Sequence, residues 1–232
     1  MAGASDNRDS DHRESAIDTM KPHDAALALG VRQGLPVALR VLADKYPRDM
    51  WAGHSNIGEM ARFWLQRHDM FREIGGILRH CMDAYRAGEA DAAAFQGQLI
   101  RPLQFFLTEL NSHHQVEDYH YFPHFRAADA RLSPGFAILD ADHHAIHDSI
   151  EQTVAAANAM LKAFSTQQAG SSLLSASGAP IQKTSDTFRK AVDDYAHVSE
   201  RLIAQAVAHL IDEEDLIIPL ILERGEEAFG VA

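Results

Sequence analysis

The sequence predicts an all-α protein, an antiparallel up-down four-helix bundle preceded by a short extra helix near the N-terminus. Four long segments carry apolar residues at three- and four-residue spacing, which is the period of a helix with one buried face. Between these segments, the alternation typical of strands does not occur. With 232 residues, of which 46% are hydrophobic, the chain is long enough to bury a core in one domain.

Composition and charge narrow the possible partners. The formal net charge of -12 disfavours nucleic acid and anionic membranes, because both repel an acidic surface. The single cysteine, Cys81, rules out an internal disulfide and favours a packed thiol. The first twenty residues are polar and lack the apolar run of a signal peptide, so we expect a soluble, cytoplasmic protein.

The chain divides into three predicted regions. Residues 1–22 are rich in Asp, Ser and Arg and are expected to be a disordered arm. Residues 23–54 form a helical extension, in which Pro36 favours a helix start and Pro47 ends the helix. Residues 55–225 are expected to form the bundle.

The four predicted long helices differ in their connections. A Ser/Gly/Ala-rich stretch, Ser165–Pro180, follows the third helix and is typical of a flexible connection or a frayed helix end. The predicted helices cover about residues 55–87, 91–126, 134–164 and 182–222.

Polar residues that can bind metals interrupt the apolar stripe of every predicted helix. Histidine occurs on all four stripes, and glutamate on the second and the fourth. The residues are His68, then His113 and Glu117, then His143 and His147, and finally His209 and Glu213. Because the stripes of a bundle converge on one axis, these side chains are expected to meet.

Two of the stripes share a motif. The segments HHQVEDYHYFP, from His113, and HLIDEEDLIIP, from His209, both place a glutamate four residues after the histidine and a proline ten residues after it. Residues four apart lie on one face of a helix, so each pair can bind one metal ion or two neighbouring ions. A lone histidine on an apolar face is usually an ordinary core residue. Five histidines and two carboxylates at that depth would cost several kcal/mol each without partners, and a metal centre removes that cost.

This motif order resembles the hemerythrin/HHE family across about residues 55–225. The resemblance implies two non-haem iron ions joined by an oxo or hydroxo bridge. It implies five histidine ligands and two bridging glutamates, with one position open to O2, NO or peroxide. Carried over residue by residue, the ligands are His68, His113, Glu117, His143, His147, His209 and Glu213.

The sequence departs from the oxygen-carrying members of the family in the last helix. Those members have an aspartate five residues after the histidine, whereas here Glu213 follows at four and Glu214 at five. His147 is not universal in the wider family, and His120 is a candidate outer or substitute ligand. His114 and His144 are expected to lie away from the site.

Several functions remain open at the level of sequence. A carrier, store or sensor of O2, NO or iron is one, and an enzyme that reduces NO or peroxide is another. The electron donor that such an enzyme needs is unknown. A ferritin-like carboxylate protein is a third reading, since Glu117 to His120 matches Glu-x-x-His and Asp140 to His143 imitates it. A metal-free helical interaction protein is the fourth.

Overall fold

The computed structural model of the chain describes residues 24–176 and 186–230. Within these two ranges the secondary structure is helical and contains no strand, which confirms the predicted all-α class. None of the helices in these ranges combines the length and apolarity needed to span a bilayer. The predicted disordered arm, residues 1–22, lies outside the described residues.

Three short α-helices and four long ones carry most of the described residues. The predicted helix between Pro36 and Pro47 is a 3-10 turn, Val37–Leu39, followed by a five-residue helix. In chain order the helices are α1 (Val41–Lys45), α2 (Arg48–Trp51), α3 (Glu59–Arg86), α4 (Ala92–Val116), α5 (Phe122–Ala128), α6 (Ser133–Ala176) and α7 (Asp186–Arg224).

The third long helix is longer than the sequence indicates. Helix α6 continues to Ala176, well past the predicted end near residue 164. The Ser165–Pro180 stretch is therefore helical as far as Ala176, and its remainder lies outside the described residues. Alanine and leucine within this stretch favour helix, which outweighs the serines and glycine.

A π-helical turn, Glu117–Tyr121, separates α4 from α5. Here the N–H of Phe122 donates to the carbonyl of Glu117, five residues earlier. Pro123 follows directly. Since proline has no N–H and its ring clashes with the carbonyl four residues before it, a wider turn at this point relieves that clash. The single predicted helix over 91–126 is thus interrupted, and the extra residue changes which side chains face inward.

The described residues fall into two compact units. Unit 1 contains residues 24–71, 110–145 and 205–230, and its core is rich in aromatic and branched side chains such as Trp64, Phe125 and Phe136. Near its end, the carboxylate of Glu226 accepts hydrogen bonds from the backbone N–H groups of Met60 and Ala61 at 3.2 and 2.8 Å. This contact caps the first turn of α3 from a distant part of the chain.

Unit 2 contains residues 72–109 and 146–204. Its core is built on aromatic contacts: Phe95 stacks on Tyr85 at 4.6 Å, and Phe164 meets Phe188 edge-on at 4.7 Å between ring centroids. Cys81 is buried with a free thiol, as its isolation in the sequence suggests.

Candidate metal centre

Histidine and glutamate side chains of unit 1 converge in two adjoining groups. Within each group, one ligand atom from every residue lies within 4.8 Å of all the others. Glu117 belongs to both groups, so a single carboxylate joins them. In the described part of the chain, the first group is His68, His113, Glu117 and Glu213, and the second is His114, Glu117, His143 and His209.

Each group draws on different helices. In the first, His68 comes from α3, His113 from the last turn of α4, and Glu213 from α7. In the second, His143 comes from α6 and His209 from α7. The structure therefore brings together six residues singled out in the sequence: His68, His113, Glu117, His143, His209 and Glu213.

His147 lies elsewhere. It belongs to unit 2, its side chain is 56% exposed, and its Nε2 lies 3.5 Å from Glu151. The buried face of α6 passes through His143 and Ile146. Since consecutive helical residues are about 100° apart around the axis, His147 falls just beyond the edge of that face. The structure does not bring this predicted ligand to the other six.

His114 is the residue that sequence reasoning missed. The sequence placed it off the site, but it is 5% exposed and its ring stacks on that of His143 at 4.1 Å. Neighbours about 100° apart on a helix can face two adjoining groups, and His113 and His114 do so here. The signal available in the sequence was the histidine pair itself, three and four residues before the motif glutamate.

The other histidines named in the sequence are peripheral. His120 lies within the π-helical turn and is exposed, so the Glu-x-x-His pairing needed for a ferritin-like site does not form around Glu117. His144 is also exposed, and its Nδ1 lies 2.8 Å from the carbonyl oxygen of Asp140. Glu214 is buried but belongs to neither group.

The two groups contain buried polar atoms that no hydrogen bond satisfies. In the described part of the chain these are Nε2 of His68, His113 and His114, both carboxylate oxygens of Glu117, and Oε2 of Glu213. The Nε2 atoms of His143 and His209 face each other at 3.1 Å. Some of them lie close to one another: Nε2 of His113 is 2.9 Å from Oε1 of Glu117, and Nε2 of His209 is 3.1 Å from Oε2 of Glu213. Lone pairs that lack a hydrogen bond at this depth are costly, and one cation per group would satisfy them. This donor set fits a metal centre of nitrogen and oxygen ligands.

In three of these histidines, a carboxylate contacts Nδ1, the ring nitrogen opposite Nε2. The Nδ1 of His68 lies 3.0 Å from Glu214, that of His143 lies 2.8 Å from Asp118, and that of His209 lies 3.2 Å from Asp142. A carboxylate only accepts hydrogen bonds, so it favours the proton on Nδ1 and leaves Nε2 free to bind a metal. Metal-binding histidines commonly have this second partner.

A tryptophan orients one of the carboxylates. Trp64 donates its indole N–H to Oε1 of Glu213 at 2.7 Å, and both side chains are buried. Because the indole N–H is a donor only, this hydrogen bond holds the Glu213 carboxylate in one orientation, with both oxygens close to the histidines of the groups. Trp64 thus contributes to the site as well as to the core of unit 1.

Burial and mutual charge shift the titration of the site. Burial lowers the pKa of His113 to about 3, and neighbouring histidines add to that effect. Burial and the adjacent Glu213 raise the pKa of Glu117 well above its usual range. For His209, burial opposes protonation, but Asp142 and Glu213 outweigh it and raise the pKa to about 9. The metal-free site therefore stores at least one proton at neutral pH.

Because this proton competes with the metal ion, the metal affinity is expected to depend on pH. A metal ion requires neutral imidazole, so binding at His209 must expel the proton below about pH 9. We expect the dissociation constant for Co(II) to fall with rising pH between 7 and 9, by up to about tenfold per pH unit for each proton displaced. Titrations followed by visible absorption at several pH values measure it. An affinity independent of pH over this range would contradict the expectation.

Fold and site together define a class: an all-helical protein with a buried cluster of histidines and carboxylates suited to metal cations. The model of the hemerythrin HHE cation-binding domain matches residues 59–176, just over half of the chain. The chain therefore belongs to the hemerythrin HHE family. The matched range ends before α7, which carries His209 and Glu213. No curated protein matches the chain, and no solved structure matches it.

Proposed function

We propose that unit 1 holds a pair of non-haem iron ions, joined by an oxo or hydroxo bridge, and uses them to bind O2 or a related small ligand. The observation that carries the proposal is the pair of adjoining ligand groups that share Glu117. Their imidazole and carboxylate donors suit iron. The protein would act as a carrier, store or sensor of O2, NO or peroxide.

The proposed ligand set keeps the number of histidines expected from the sequence but changes one member. His68 and His113 would bind the first ion, and His114, His143 and His209 the second. Glu117 would bridge them. Glu213 is the second proposed bridge, because its two oxygens lie 3.5 Å from His68 Nε2 and 3.1 Å from His209 Nε2. In this assignment, His114 takes the role that the family resemblance implies for His147.

The ion with fewer histidines is the one expected to keep an open position. Five imidazoles, two bridging carboxylates and a bridging oxygen would fill all but one of the positions of two octahedral ions, and the open position would lie beside His68 and His113. A cavity of about 190 Å³ lies on this side. It is lined by His113 and Glu117 and by a mixture of apolar and polar side chains: Phe63, Trp64, Val116, Arg67, Ser112 and Tyr121. Its size favours a small ligand.

The protein's own residues would hold and shield the centre. Bound iron supplies a reversible Fe(II)/Fe(III) couple with an open position for the ligand. Around it, Trp64 orients Glu213, while Glu214, Asp118 and Asp142 orient three histidines. The buried aromatic residues of unit 1 limit the access of water. The antiparallel four-helix arrangement, and a bundle domain spanning residues 55–225, belong to this proposal as well.

Anaerobic loading with Fe(II) tests the proposal. We expect two iron ions per chain, followed by a change in visible absorption when O2 is admitted. Exposure to NO and to peroxide in parallel samples identifies the preferred ligand. A spectrum that reverses under vacuum supports carriage, and oxidation without turnover supports a sensor or store. Sustained consumption of NO or peroxide with an added electron donor would replace the proposal with a reductase. Purified protein that takes up no Fe(II) would overturn the metal centre itself.

A further inference from the structure

Arg32 is a buried arginine in the segment that precedes the family match. It lies in residues 24–54, before helix α3, and its side chain is only 4% exposed. Gly34, with φ +106°, makes the turn that follows it, a conformation that suits glycine because other side chains rarely adopt it. Buried guanidinium groups are costly unless they are fully paired, so the contacts of Arg32 indicate its role.

The guanidinium group of Arg32 binds two aspartates. Both of its terminal nitrogens donate to the two oxygens of Asp142, a bidentate pair in which the Nη1 distance is 2.8 Å. Its Nε donates to Asp212 at 2.8 Å, and Nη1 also donates to the carbonyl oxygen of Leu27 at 2.8 Å. Bidentate geometry of this kind fixes a carboxylate in orientation as well as in position.

Asp142 connects Arg32 to the metal centre. Its Oδ2, which accepts from Arg32, also lies 3.2 Å from Nδ1 of His209. The opposite nitrogen of the same ring, Nε2, faces His143 and Glu213 in the centre. A continuous chain of polar contacts therefore runs from the N-terminal segment to a proposed iron ligand.

The same segment reaches the other side of the centre through Arg48. Its Nη1 donates to Oε2 of Glu214 at 2.6 Å, and Oε1 of that carboxylate lies 3.0 Å from Nδ1 of His68. Arg48 is more exposed, at 45%, and it also pairs with Asp215. Solvent screening therefore weakens the ion pair between Arg48 and Glu214 compared with the buried ion pairs of Arg32.

We propose that residues 24–54 are part of the metal-binding unit, and that Arg32 is a positioning residue that fixes the ring of His209 through Asp142. This inference rests on the proposed iron site. Without Arg32, Asp142 and Asp212 would remain buried beside each other without the guanidinium group that pairs with both, and Asp142 would turn away from that repulsion. His209 would then lose the partner that sets its orientation and tautomer.

Replacement of Arg32 with glutamine, compared with Arg40→Gln, tests the proposal in the full-length protein. Arg40 lies in the same segment, is 50% exposed, and pairs only loosely with Asp44 at 3.7 Å, so it is a matched control. We expect Arg32→Gln to weaken the binding of the second Co(II) ion by about 10–100-fold, the usual effect of losing an outer partner of a ligand. Arg40→Gln should stay within about twofold of the wild type.

Two further measurements separate positioning from a general loss of stability. In Co(II)-loaded protein, the Nδ1 proton of His209 should give a strongly shifted exchangeable NMR signal, which comparison with Asp142→Asn would identify. Arg32→Gln should speed up its exchange with water. In an Asp142→Asn background, Arg32→Gln should have little further effect on Co(II) affinity, because both changes break one chain of contacts. Arg32→Lys keeps the charge without the bidentate pair and should show the same faster exchange in a folded protein.

The possible results distinguish failure of the proposed metal site from failure of the proposed role of Arg32. Wild-type protein that binds no metal overturns the proposed function and this inference with it. Wild-type protein that binds two ions, with Arg32→Gln indistinguishable from Arg40→Gln, overturns the role of Arg32 alone. Additive losses from Arg32→Gln and Asp142→Asn would also overturn it, because Arg32 would then act independently of Asp142. If Arg32→Gln does not fold, unchanged proton exchange in Arg32→Lys counts against the proposal.

Discussion

Replacing Glu117 with glutamine is expected to abolish the binding of both metal ions and, at the same time, to raise the melting temperature of the metal-free protein. Glu117 belongs to both ligand groups, so its loss affects two ions at once. A neutral amide cannot bridge two cations as a carboxylate does. The affinity for each ion should fall by at least about 100-fold, the upper end of what is seen for outer partners alone.

The gain in the metal-free protein follows from the pKa of Glu117. Burial and the neighbouring Glu213 raise that pKa well above the usual range of a carboxyl group. A raised carboxyl pKa means that folding disfavours the ionised form, so this residue costs stability as the pH rises above the ordinary value for glutamate. Glutamine removes the charge at all pH values. A gain of about 1 kcal/mol corresponds to roughly 2–4 °C for a chain of this size.

Thermal melting with and without Co(II), together with iron analysis, measures both effects. The exposed Glu151→Gln provides a control, since Glu151 contacts only His147 at 3.5 Å among the ion pairs of the described residues. Wild-type protein should be stabilised by Co(II), and Glu117→Gln should not be. Retention of two ions by Glu117→Gln would show that this carboxylate bridges nothing. A lower melting temperature of metal-free Glu117→Gln would show that Glu117 is satisfied without metal.

The second large effect is expected at His114. Changing it to alanine should lower the iron content from two ions per chain toward one, because the second group would keep only His143, His209 and the shared Glu117. The stacked contact of its ring with His143 is lost as well. His147→Ala should retain both ions, since that side chain is exposed and paired with Glu151.

Iron analysis and Mössbauer spectra of loaded protein compare the two variants. His144→Ala is the matched control for His114→Ala, because His144 is the second member of another histidine pair but is exposed. Loss of iron from His147→Ala with full retention in His114→Ala would restore the ligand set that the family resemblance implies. It would also show that the π-helical turn at Glu117–Tyr121 does not set the register of the site.

The sequence was most informative for pairs of ligand residues that lie close together in the chain. His113 with Glu117 and His209 with Glu213 are four residues apart, and that spacing places both members of a pair on one helical face whatever the neighbours do. Their grouping with His68 needed only the additional assumption that apolar stripes meet. The structure brings all five residues into the two ligand groups.

The sequence was least informative where the answer depended on the edge of a face. His147 and His114 each lie about 100° or less from a buried neighbour, and periodicity cannot decide on which side of the boundary such a residue falls. The π-helical turn adds to this difficulty, because it changes the register after Val116 without any change in the hydrophobic pattern.

By itself, then, the sequence determined the all-α class, the family and the two His-x-x-x-Glu pairs, because these depend on local spacing along single helices. Only the tertiary structure decided that His114 joins the groups, that His147 does not, and that Arg32 and Arg48 reach carboxylates more than a hundred residues away in the chain. Contacts between distant segments depend on how helices pack in three dimensions, and packing leaves no periodic trace in one sequence.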